Sequence, residues 1–365
     1  MLLLVGFHRV LPFGLPKIPQ EWGGWVGTVD QHIALELLQA KEKAPLPRTI
    51  QTSINLGKSV QTVELCGEGM SVEGRLLATW AEIEEVKDKE GCHALYDDGS
   101  KPYRIATISK NTNIPASLCA PLTETGAPTM VLGGFAMHRL VGDGINPTVD
   151  TANKINAVSS FLFSGSICLD TCMGLGYTSI GAAERVAGNG GKVITVEFDE
   201  ASIEMAYYNP WSRSLFDGSL PIELRTGDSC VLCRDFPDAT FNVVIHDPPA
   251  RALCRKDLYG LEFYRELRRI LKPNGVLFHY IGRSDSRESG RLYKGITERL
   301  IEAGFVTVSK NEAAFGVVAR RGMRGARAAR GEVSFFKTSK GGRGGSRRHM
   351  DRDQDLDMAV PDDEE

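Results

Sequence analysis

The chain has 365 residues, of which 42% are hydrophobic and 24% charged, and its formal net charge at pH 7 is −3. This length can bury one α/β core plus a smaller domain, and no apolar run reaches the roughly 20 residues that cross a bilayer, so we expect a cytoplasmic protein, with the nucleus or an organelle as alternatives. The near-neutral charge gives no independent support for nucleic-acid binding, and eight cysteines without regular spacing argue against a disulfide framework.

Residues 1–47 form an N-terminal arm with one predicted helix. The apolar spacing from Asp30 to Glu42 is helical, and a proline-rich linker follows it. Residues 48–130 then change to a β pattern, in which Thr79 and Glu82 form a capping box that opens a short helix. We predict a small β-rich domain here, which either selects the substrate or serves as a structural lid.

Residues 131–159 form a linker between the two domains and carry His138, Arg139, Asp150 and Lys154. If the linker passes over a ligand cleft, Arg139 and Lys154 can clamp an anionic substrate or a cofactor carboxylate, with His138 beside them. The alternative is an ion pair of these cations with Asp150 that only holds the two domains together.

The most informative stretch runs from Ser166 to Tyr177, where a predicted buried strand leads into a glycine turn. Gly174 and Gly176 let the backbone bend tightly and approach a ligand, and the helix that follows points its first amide groups at that ligand. A dinucleotide fingerprint requires a third glycine at the position of Ser179, which disfavours NAD.

Acidic residues follow three further predicted strands. Glu197 ends the strand after the glycine turn, where a carboxylate can accept hydrogen bonds from two ribose hydroxyls. Asp228 follows the third strand, where it can accept from the amine of an adenine while the Ser229 amide donates to a ring nitrogen. Asp247 ends the fourth strand. Because open α/β sheets bind ligands at the carboxyl ends of their strands, these residues predict a site for an adenosine cofactor.

The second half of the chain alternates between strand and helix patterns. Predicted strands near residues 166, 192, 222, 241, 275 and 306 alternate with helices near 177, 199, 260 and 290, which indicates a doubly wound, mostly parallel sheet. One helix should stop at a turn, Lys272-Pro273-Asn274-Gly275, before a strand at Val276–Ile281. The last two strands, Val306–Ser309 and Phe315–Ala319, are too close for a helical crossover and must form an antiparallel hairpin, which gives seven strands.

The motifs Asp170 to Tyr177, Glu197, Gly227-Asp228 and Asp247-Pro-Pro249 resemble, in this order, those of class I S-adenosylmethionine-dependent methyltransferases, over residues 160–321. Longer agreement, including Tyr208-Asn-Pro-Trp-Ser212, resembles a family best known from archaea and usually called only "predicted methyltransferase". The resemblance implies an α/β, Rossmann-like methyltransferase domain with S-adenosylmethionine as its cofactor. The cofactor-binding residues that it implies are Asp170, Gly174, Gly176, Tyr177, Thr178, Glu197, Asp228 and Ser229.

The resemblance also implies that the Asp-Pro-Pro motif orients a nitrogen nucleophile. Asp247, ionised near neutral pH, and the carbonyl of Pro248 would each accept a hydrogen bond from a substrate N–H. Nucleic-acid amino-methyltransferases follow the prolines with an aromatic that stacks on the base, and Ala250-Arg251 stands here instead, which puts base methylation in doubt. The further substrate contacts that we predict on this side are Pro249, Arg251 and Tyr280.

Residues 322–365 leave the predicted fold, because an Arg/Gly-rich run and then an acidic run offer little to bury, and we expect them to be disordered. The Arg/Gly run resembles RNA-binding segments. Together with the Asp-Pro-Pro motif, this run makes RNA the first acceptor and partner that we expect, with a protein or a small amine as alternatives. We expect no metal, since Cys230 and Cys233 have no second cysteine pair.

Two other functions stay open. A spermidine-synthase-like aminopropyltransferase uses decarboxylated S-adenosylmethionine in the same fold, but its Gly-Gly-Gly-Asp-Gly type loop is absent from this sequence. A non-catalytic RNA-binding scaffold would keep the fold without its chemistry, and the intact Asp170, Glu197 and Asp247 argue against it. The prediction is thus an S-adenosylmethionine-dependent methyltransferase.

Overall fold

The structure of the protein is a computed structural model, and it describes residues 24–121, 126–140, 144–250, 253, 256–282 and 287–322. Arg251 and all but the first residue of the predicted disordered tail, 322–365, lie outside the described residues. Among the helices that the structure describes, none combines the length and the apolar character needed to cross a membrane.

The N-terminal part is β-rich, as its alternating sequence pattern indicates. Its elements are β1 (Trp25–Val29), α1 (Gln31–Lys43), β2 (Arg48–Thr52), β3 (Gln61–Leu65), β4 (Gly69–Val72), β5 (Arg75–Thr79), α2 (Trp80–Asp88), β6 (His93–Tyr96), β7 (Tyr103–Arg104), β8 (Ala106–Ile108), β9 (Pro115–Cys119), β10 (Thr129–Leu132) and β11 (Phe135–Ala136). They form antiparallel sheets with the strand orders β1-β6-β7, β2-β3-β4-β5 and β11-β10-β9-β8.

The boundaries of this part differ from those read from the sequence. Strand β1 lies in the predicted arm, 1–47, but pairs with β6, with Val29 opposite His93. The hairpin β10–β11 continues the third sheet to Ala136, beyond the boundary predicted at residue 130. Both differences arise because strand pairing depends on partners far away in sequence, which a local pattern does not reveal.

Helix starts follow the local sequence closely. The Asp30 side chain accepts hydrogen bonds from the backbone amides of His32 and Ile33, both at 3.0 Å, and so begins α1. The predicted capping box of α2 is confirmed, since Thr79 Oγ1 accepts from the Glu82 amide at 3.3 Å and the Glu82 carboxylate accepts from the Thr79 amide at 2.9 Å.

The second part is an α/β unit. Its elements are α3 (Pro147–Asn156), β12 (Ile167–Asp170), α4 (Tyr177–Val186), β13 (Lys192–Glu197), α5 (Glu200–Tyr207), β14 (Ile222–Thr226), α6 (Ser229–Leu232), β15 (Phe241–His246), α7 (Leu261–Ile270), β16 (Leu271–Tyr280), α8 (Arg287–Glu302), β17 (Thr307–Asn311) and β18 (Gly316–Arg320). The seven strands have the order β14-β13-β12-β15-β16-β18-β17, and only β18 runs antiparallel to its neighbours among these described strands. The predicted mostly parallel sheet with an antiparallel hairpin is confirmed.

One turn expected from the sequence lies inside a strand. Helix α7 ends at Ile270, and β16 begins at Leu271 instead of after the predicted turn at Lys272–Gly275. The register against β15 shifts between Phe241 and Val243, and Asn274 adopts a left-handed φ of 66°. The turn residues therefore form a bulge that β16 absorbs.

The two parts share one hydrophobic core and a set of polar contacts around Tyr208. Thr28 Oγ1 donates to the Tyr208 carbonyl at 2.7 Å, and the hydroxyls of Tyr96 and Tyr208 are 2.9 Å apart. Trp211 Nε1 donates to the Leu56 carbonyl at 3.1 Å. The stretch Tyr208 to Ser212, which the sequence analysis left without a role, thus joins the N-terminal part to the α/β unit.

Candidate active site

A large cavity lies at the carboxyl edge of the seven-stranded sheet. Its volume is about 1170 Å³, which exceeds the roughly 300–1,000 Å³ typical of a pocket for one small ligand. The loops after β12, β13, β15 and β16 line it, together with the β10–β11 hairpin of the N-terminal part. Since open α/β sheets bind ligands at this edge, the cavity lies where the motifs predict the cofactor.

The two glycines of the loop after β12 have different reasons for being glycine. Both have left-handed φ angles, 54° at Gly174 and 77° at Gly176. A Cβ on Gly176 would lie 2.3 Å from Leu215 Cδ1, so this position needs glycine for packing. A Cβ on Gly174 would meet nothing within 4 Å, and Gly174 lines the cavity. Gly174 thus leaves open space where a ligand can approach the backbone.

Asp170 lies beneath this loop and does not line the cavity. Its Oδ2 accepts hydrogen bonds from Thr178 Oγ1 and Ser179 Oγ, both at 2.7 Å, and its Oδ1 accepts from the Cys172 amide at 3.3 Å. Burial raises the pKa of Asp170 to about 6, against these hydrogen bonds, which lower it. The structure therefore places Asp170 as a residue that fixes the loop.

Glu197 lines the cavity and also holds the glycine loop. Its Oε2 accepts from the Gly174 amide at 2.9 Å, and its Oε1 accepts from the Asp199 amide at 2.8 Å. Burial raises the pKa of Glu197 to about 7. Each carboxylate oxygen keeps a further lone pair, so Glu197 can still accept from the hydroxyls of a ribose.

Asp228 and Ser229 lie together at the start of α6, and both line the cavity. Asp228 Oδ1 accepts from the Cys230 amide at 2.8 Å and so caps the helix. Ser229 Oγ donates to the Thr171 carbonyl and ties this corner to the loop after β12. The sequence analysis assigned both residues to an adenine edge, and the structure brings both to the wall of this cavity.

Tyr177 and Thr178 also line the cavity, but their hydroxyl groups bond to the protein. The Tyr177 hydroxyl donates to the Pro128 carbonyl at 2.9 Å and accepts from Asn209 Nδ2 at 2.8 Å, which ties the loop before β10 to the α/β unit. The Tyr177 ring lies 5.1 Å from that of His138. These contacts give both residues a positioning function at the cavity wall.

A chain of four charged side chains runs from the linker to the end of β15. Lys154 Nζ lies 2.7 Å from Asp247 Oδ2 and 2.9 Å from Asp150 Oδ2, and Arg139 Nε lies 2.8 Å from Asp150 Oδ1. Lys154 is only 2% exposed and Asp150 is fully buried. The ion pair with Asp150 that the sequence left as an alternative is present, and Asp247 extends it.

This chain determines what Asp247 can do. Burial raises the pKa of the Asp247 carboxyl, while Lys154 lowers it by charge and hydrogen bond. Lys154 Nζ also lies 4.4 Å from the centre of the Tyr280 ring. Because both neighbouring carboxylates hold the Lys154 ammonium, it has little capacity left to clamp an anionic ligand.

The remaining predicted substrate residues that the structure describes line the same cavity as Asp247. Pro248, Pro249 and Tyr280 all line the cavity, and the Tyr259 hydroxyl donates to the Pro249 carbonyl at 3.1 Å. Arg251 lies outside the described residues. His138 lines the cavity, and its Nδ1 is 3.0 Å from Thr129 Oγ1. Burial lowers the pKa of His138 to about 3, so its ring is neutral at physiological pH.

Two buried histidines lie behind Asp247, and the sequence analysis assigned them no role. His246 Nε2 lies 2.9 Å from the Leu258 carbonyl and must donate to it, so Nδ1 accepts from the Thr171 hydroxyl at 2.7 Å. His279 Nε2 lies 2.9 Å from the Tyr264 hydroxyl, and the two histidine rings are 4.4 Å apart. Burial lowers the pKa of His246 to about 4 and lowers that of His279 as well. This neutral pair links the loop after β12 to the start of the Asp-Pro-Pro motif.

The β10–β11 hairpin covers part of the cavity. Apolar side chains of this region line it, namely Ile114, Met130, Leu132, Phe135 and Met137. At the hairpin turn, a Cβ on Gly133 would lie 3.3 Å from Leu253 Cδ2, so the turn reaches the loop after β15. This covering hairpin is the hairpin roof. The sequence did not predict it, because nothing in the local pattern of residues 128–137 shows that they cover a cavity.

No group of three or more His, Cys, Asp or Glu side chains that could hold a metal ion occurs among the described residues. Cys233 is buried and Cys230 half-buried, and neither forms a disulfide.

Comparisons with known proteins gave two related sequences. The chain is 47% identical over 199 residues to an uncharacterized protein of Methanocaldococcus jannaschii, a match that covers 54% of this chain and 65% of the relative. It is 31% identical over 122 residues to polyamine aminopropyltransferase 2 of Streptomyces coelicolor, which covers 32% of this chain and 22% of the relative. The matches therefore span less than two thirds of either relative. No family model matches the chain.

Among solved structures, spermidine synthase from Thermotoga maritima is similar with a TM-score of 0.46 and 16% identity, over 78% of this chain and 84% of that one. S-adenosylmethionine-dependent methyltransferases are also among the similar structures.

Proposed function

We propose that the protein is an S-adenosylmethionine-dependent transferase that methylates a nitrogen nucleophile. One observation carries the proposal: a single cavity joins the glycine loop and Glu197, at one end, to Asp247 at the other. The ordered sequence motifs support the same reaction class. The residues that would hold the cofactor and the residue that would orient the methyl acceptor thus line one cavity.

The residues at the first end fit an adenosine cofactor. Gly174 leaves open space beside its Cα, Glu197 keeps acceptor capacity for ribose hydroxyls, and Asp228 lies at the rim of the same wall. When bound, S-adenosylmethionine supplies an electrophilic methyl group on its sulfonium. A nitrogen lone pair forms the new N–C bond to this methyl carbon as the C–S bond breaks.

The residues at the second end fit a nitrogen acceptor. Asp247 accepts a hydrogen bond from the N–H group of the methyl acceptor, and this bond orients the nitrogen lone pair. The Asp247 carboxylate then receives the proton that the nitrogen loses. The Pro248 carbonyl can accept a second hydrogen bond. Burial raises the pKa of Asp247, and the Lys154 ammonium beside it opposes that rise and so favours the ionised carboxylate. The hairpin covers part of the cavity, and we expect the protein to contribute mainly orientation of the acceptor and exclusion of solvent.

The acceptor molecule is a separate part of the proposal. RNA was the expectation from the Asp-Pro-Pro motif and the Arg/Gly run, and the Arg/Gly run lies outside the described residues. Lys154 and Arg139 are paired with carboxylates and so offer little to a phosphate backbone. A small amine therefore fits the described cavity better than RNA does.

A second candidate is aminopropyl transfer from decarboxylated S-adenosylmethionine. The observation that favours it is the 31% identity to a protein named polyamine aminopropyltransferase 2, over 122 residues. The cavity adds a physical reason: among its described lining residues, five are carboxylic acids and two are cationic. This excess of negative charge is more favourable for a cofactor that lacks a carboxylate than for one that carries it.

Calorimetric titration separates these functions. The purified protein is titrated with S-adenosylmethionine, with S-adenosylhomocysteine and with decarboxylated S-adenosylmethionine. Preference for the first two supports methyl transfer, and preference for the third moves the function to aminopropyl transfer. Glu197→Ala should abolish binding, whereas Glu200→Ala, an exposed neighbour that does not line the cavity, should leave it unchanged. Absence of binding by all three ligands would overturn the proposal.

A further inference from the structure

The order of the strands divides the cavity into two halves. The strands β14, β13 and β12 lie on one side of the junction between β12 and β15 and carry the predicted cofactor residues, whereas β15, β16, β18 and β17 lie on the other. A ligand held by Gly174, Glu197 and Asp228 occupies the first half. The second half, around Asp247 and Tyr280, is left for the acceptor.

This acceptor half is strongly apolar. Its described walls include Leu253, Leu258, Ile281, Leu292 and Phe315. Phe135, on the hairpin roof, is 52% exposed although it is a large aromatic that lines the same cavity. Clefts that bind a small molecule commonly combine such apolar walls with a few convergent polar groups.

The polar groups of the acceptor half are balanced in charge. Arg139 and Lys154 are each within 2.9 Å of a carboxylate of Asp150 or Asp247. Glu312, at the rim, is paired with Lys310 at 3.3 Å. Within the described residues, this half therefore offers neither an excess cation for a phosphate nor an excess carboxylate for a second ammonium group.

We infer that the acceptor is a small molecule with an apolar body and a single nucleophilic nitrogen, an inference that rests on the proposed function. The nitrogen binds at Asp247 and the body lies between the hairpin roof and the loops after β15 and β16. Burial of an aliphatic or ring body supplies the binding energy, since the polar contacts are confined to one end.

The test compares amines that differ in one feature. Butylamine, octylamine and 1,8-diaminooctane are titrated into the full chain by calorimetry, with and without S-adenosylhomocysteine. Octylamine should bind at least about tenfold more tightly than butylamine, because its four further methylenes become buried. The second ammonium of 1,8-diaminooctane should cancel that gain.

A pair of matched variants locates the apolar contact. Phe135→Ser should weaken octylamine binding several-fold and leave butylamine unchanged. Phe163→Ser is the control, since Phe163 is 54% exposed and does not line the cavity, and it should change neither. Both positions are exposed, so both variants should fold.

Three results would overturn the inference: equal affinity for octylamine and butylamine, tighter binding of 1,8-diaminooctane than of octylamine, or tight binding of a single-stranded RNA oligonucleotide that Phe135→Ser does not affect. Failure of the proposed function would show separately, as absence of binding in the titration with S-adenosylhomocysteine alone. The octylamine and butylamine comparison without that ligand still tests the apolar half.

Discussion

Lys154 Nζ lies 2.7 Å from Asp247 Oδ2, although Lys154 belongs to the helix before the α/β sheet and Asp247 to the end of its fourth strand in sequence order. The ammonium is 2% exposed and lies against a second carboxylate, that of Asp150. A charge this deeply buried is stable only with its partners in place. The position and the protonation of Asp247 therefore depend on a residue 93 positions earlier in the chain.

Lys154→Met should move the pH dependence of transfer. Burial already raises the pKa of Asp247 and Lys154 opposes that rise, so the pKa increases further when the ammonium is removed. If transfer requires ionised Asp247, the acid limb of the pH–rate profile moves to higher pH in the variant, and activity recovers in alkaline solution. Lys154→Arg keeps the charge and should keep the profile near that of the wild type. An unshifted limb in Lys154→Met would show that Lys154 serves stability alone.

Asp247→Asn should separate cofactor binding from transfer. Asp247 does not contact the glycine loop in the described hydrogen bonds, so affinity for S-adenosylhomocysteine should survive, while loss of the N–H acceptor should reduce turnover about 10²–10⁴-fold. The variant also leaves Lys154 with one partner fewer, which costs stability. The double variant Asp247→Asn, Lys154→Met removes both charges, so it should regain thermal stability without regaining activity. Unchanged turnover in Asp247→Asn would remove this residue from the mechanism.

The sequence predicted the α/β sheet well because each element carries its own signal. Strand β12 ends at Asp170 before the glycine turn, β13 ends at Glu197 itself, and β15 ends at His246 before the Asp-Pro-Pro motif. All of these are local patterns. The sheet order then brings the strand ends to one edge. Residues such as Glu197 and Asp247 could thus be assigned to one cavity before the structure was known.

The features that the sequence did not predict depend on contacts between residues that are far apart in the chain. The pairing of β1 with β6, the position of the hairpin roof and the contact of Lys154 with Asp247 all join segments that are far apart in sequence. Asp170 illustrates the same limit at the level of one residue. Its motif position is right, but only the contacts with Thr178 and Ser179 show that it lies beneath the cavity wall.

Glu197 should make cofactor binding dependent on pH near neutrality. Its pKa is raised to about 7, so part of the population is protonated at pH 6.5, and ribose hydroxyls favour the ionised form. Binding of S-adenosylhomocysteine should therefore release protons at pH 6.5 and few at pH 8.5, which calorimetry in buffers of different ionisation enthalpy measures. Glu197→Gln should abolish the difference. Equal proton release at both pH values in the wild type would contradict the assignment.

Ionisation of Glu197 favours cofactor binding but lowers the stability of the folded protein. Because the pKa of Glu197 in the folded protein, about 7, lies above its ordinary value of 4.5, the folded state binds more protons than the unfolded state between these values. The contribution of Glu197 to the free energy of unfolding is therefore fully present below pH 4.5 and is lost as the pH rises through 7. Denaturant unfolding of the wild type and Glu197→Gln at several pH values checks the sign.

The two glycines of the cofactor loop should respond differently to alanine. In Gly176→Ala the new Cβ would lie 2.3 Å from Leu215 Cδ1 at a φ of 77°, so both steric overlap and backbone strain reduce stability. In Gly174→Ala the Cβ meets nothing within 4 Å, and the cost is only the left-handed backbone, about 1–2 kcal/mol. The methyl group that this substitution adds at position 174 instead lies in open space at the wall of the cavity. Gly176→Ala should therefore lower the melting temperature more, and Gly174→Ala should lose more affinity for S-adenosylhomocysteine relative to its stability loss. If both variants lost affinity only in proportion to stability, Gly174 would have no direct role in binding.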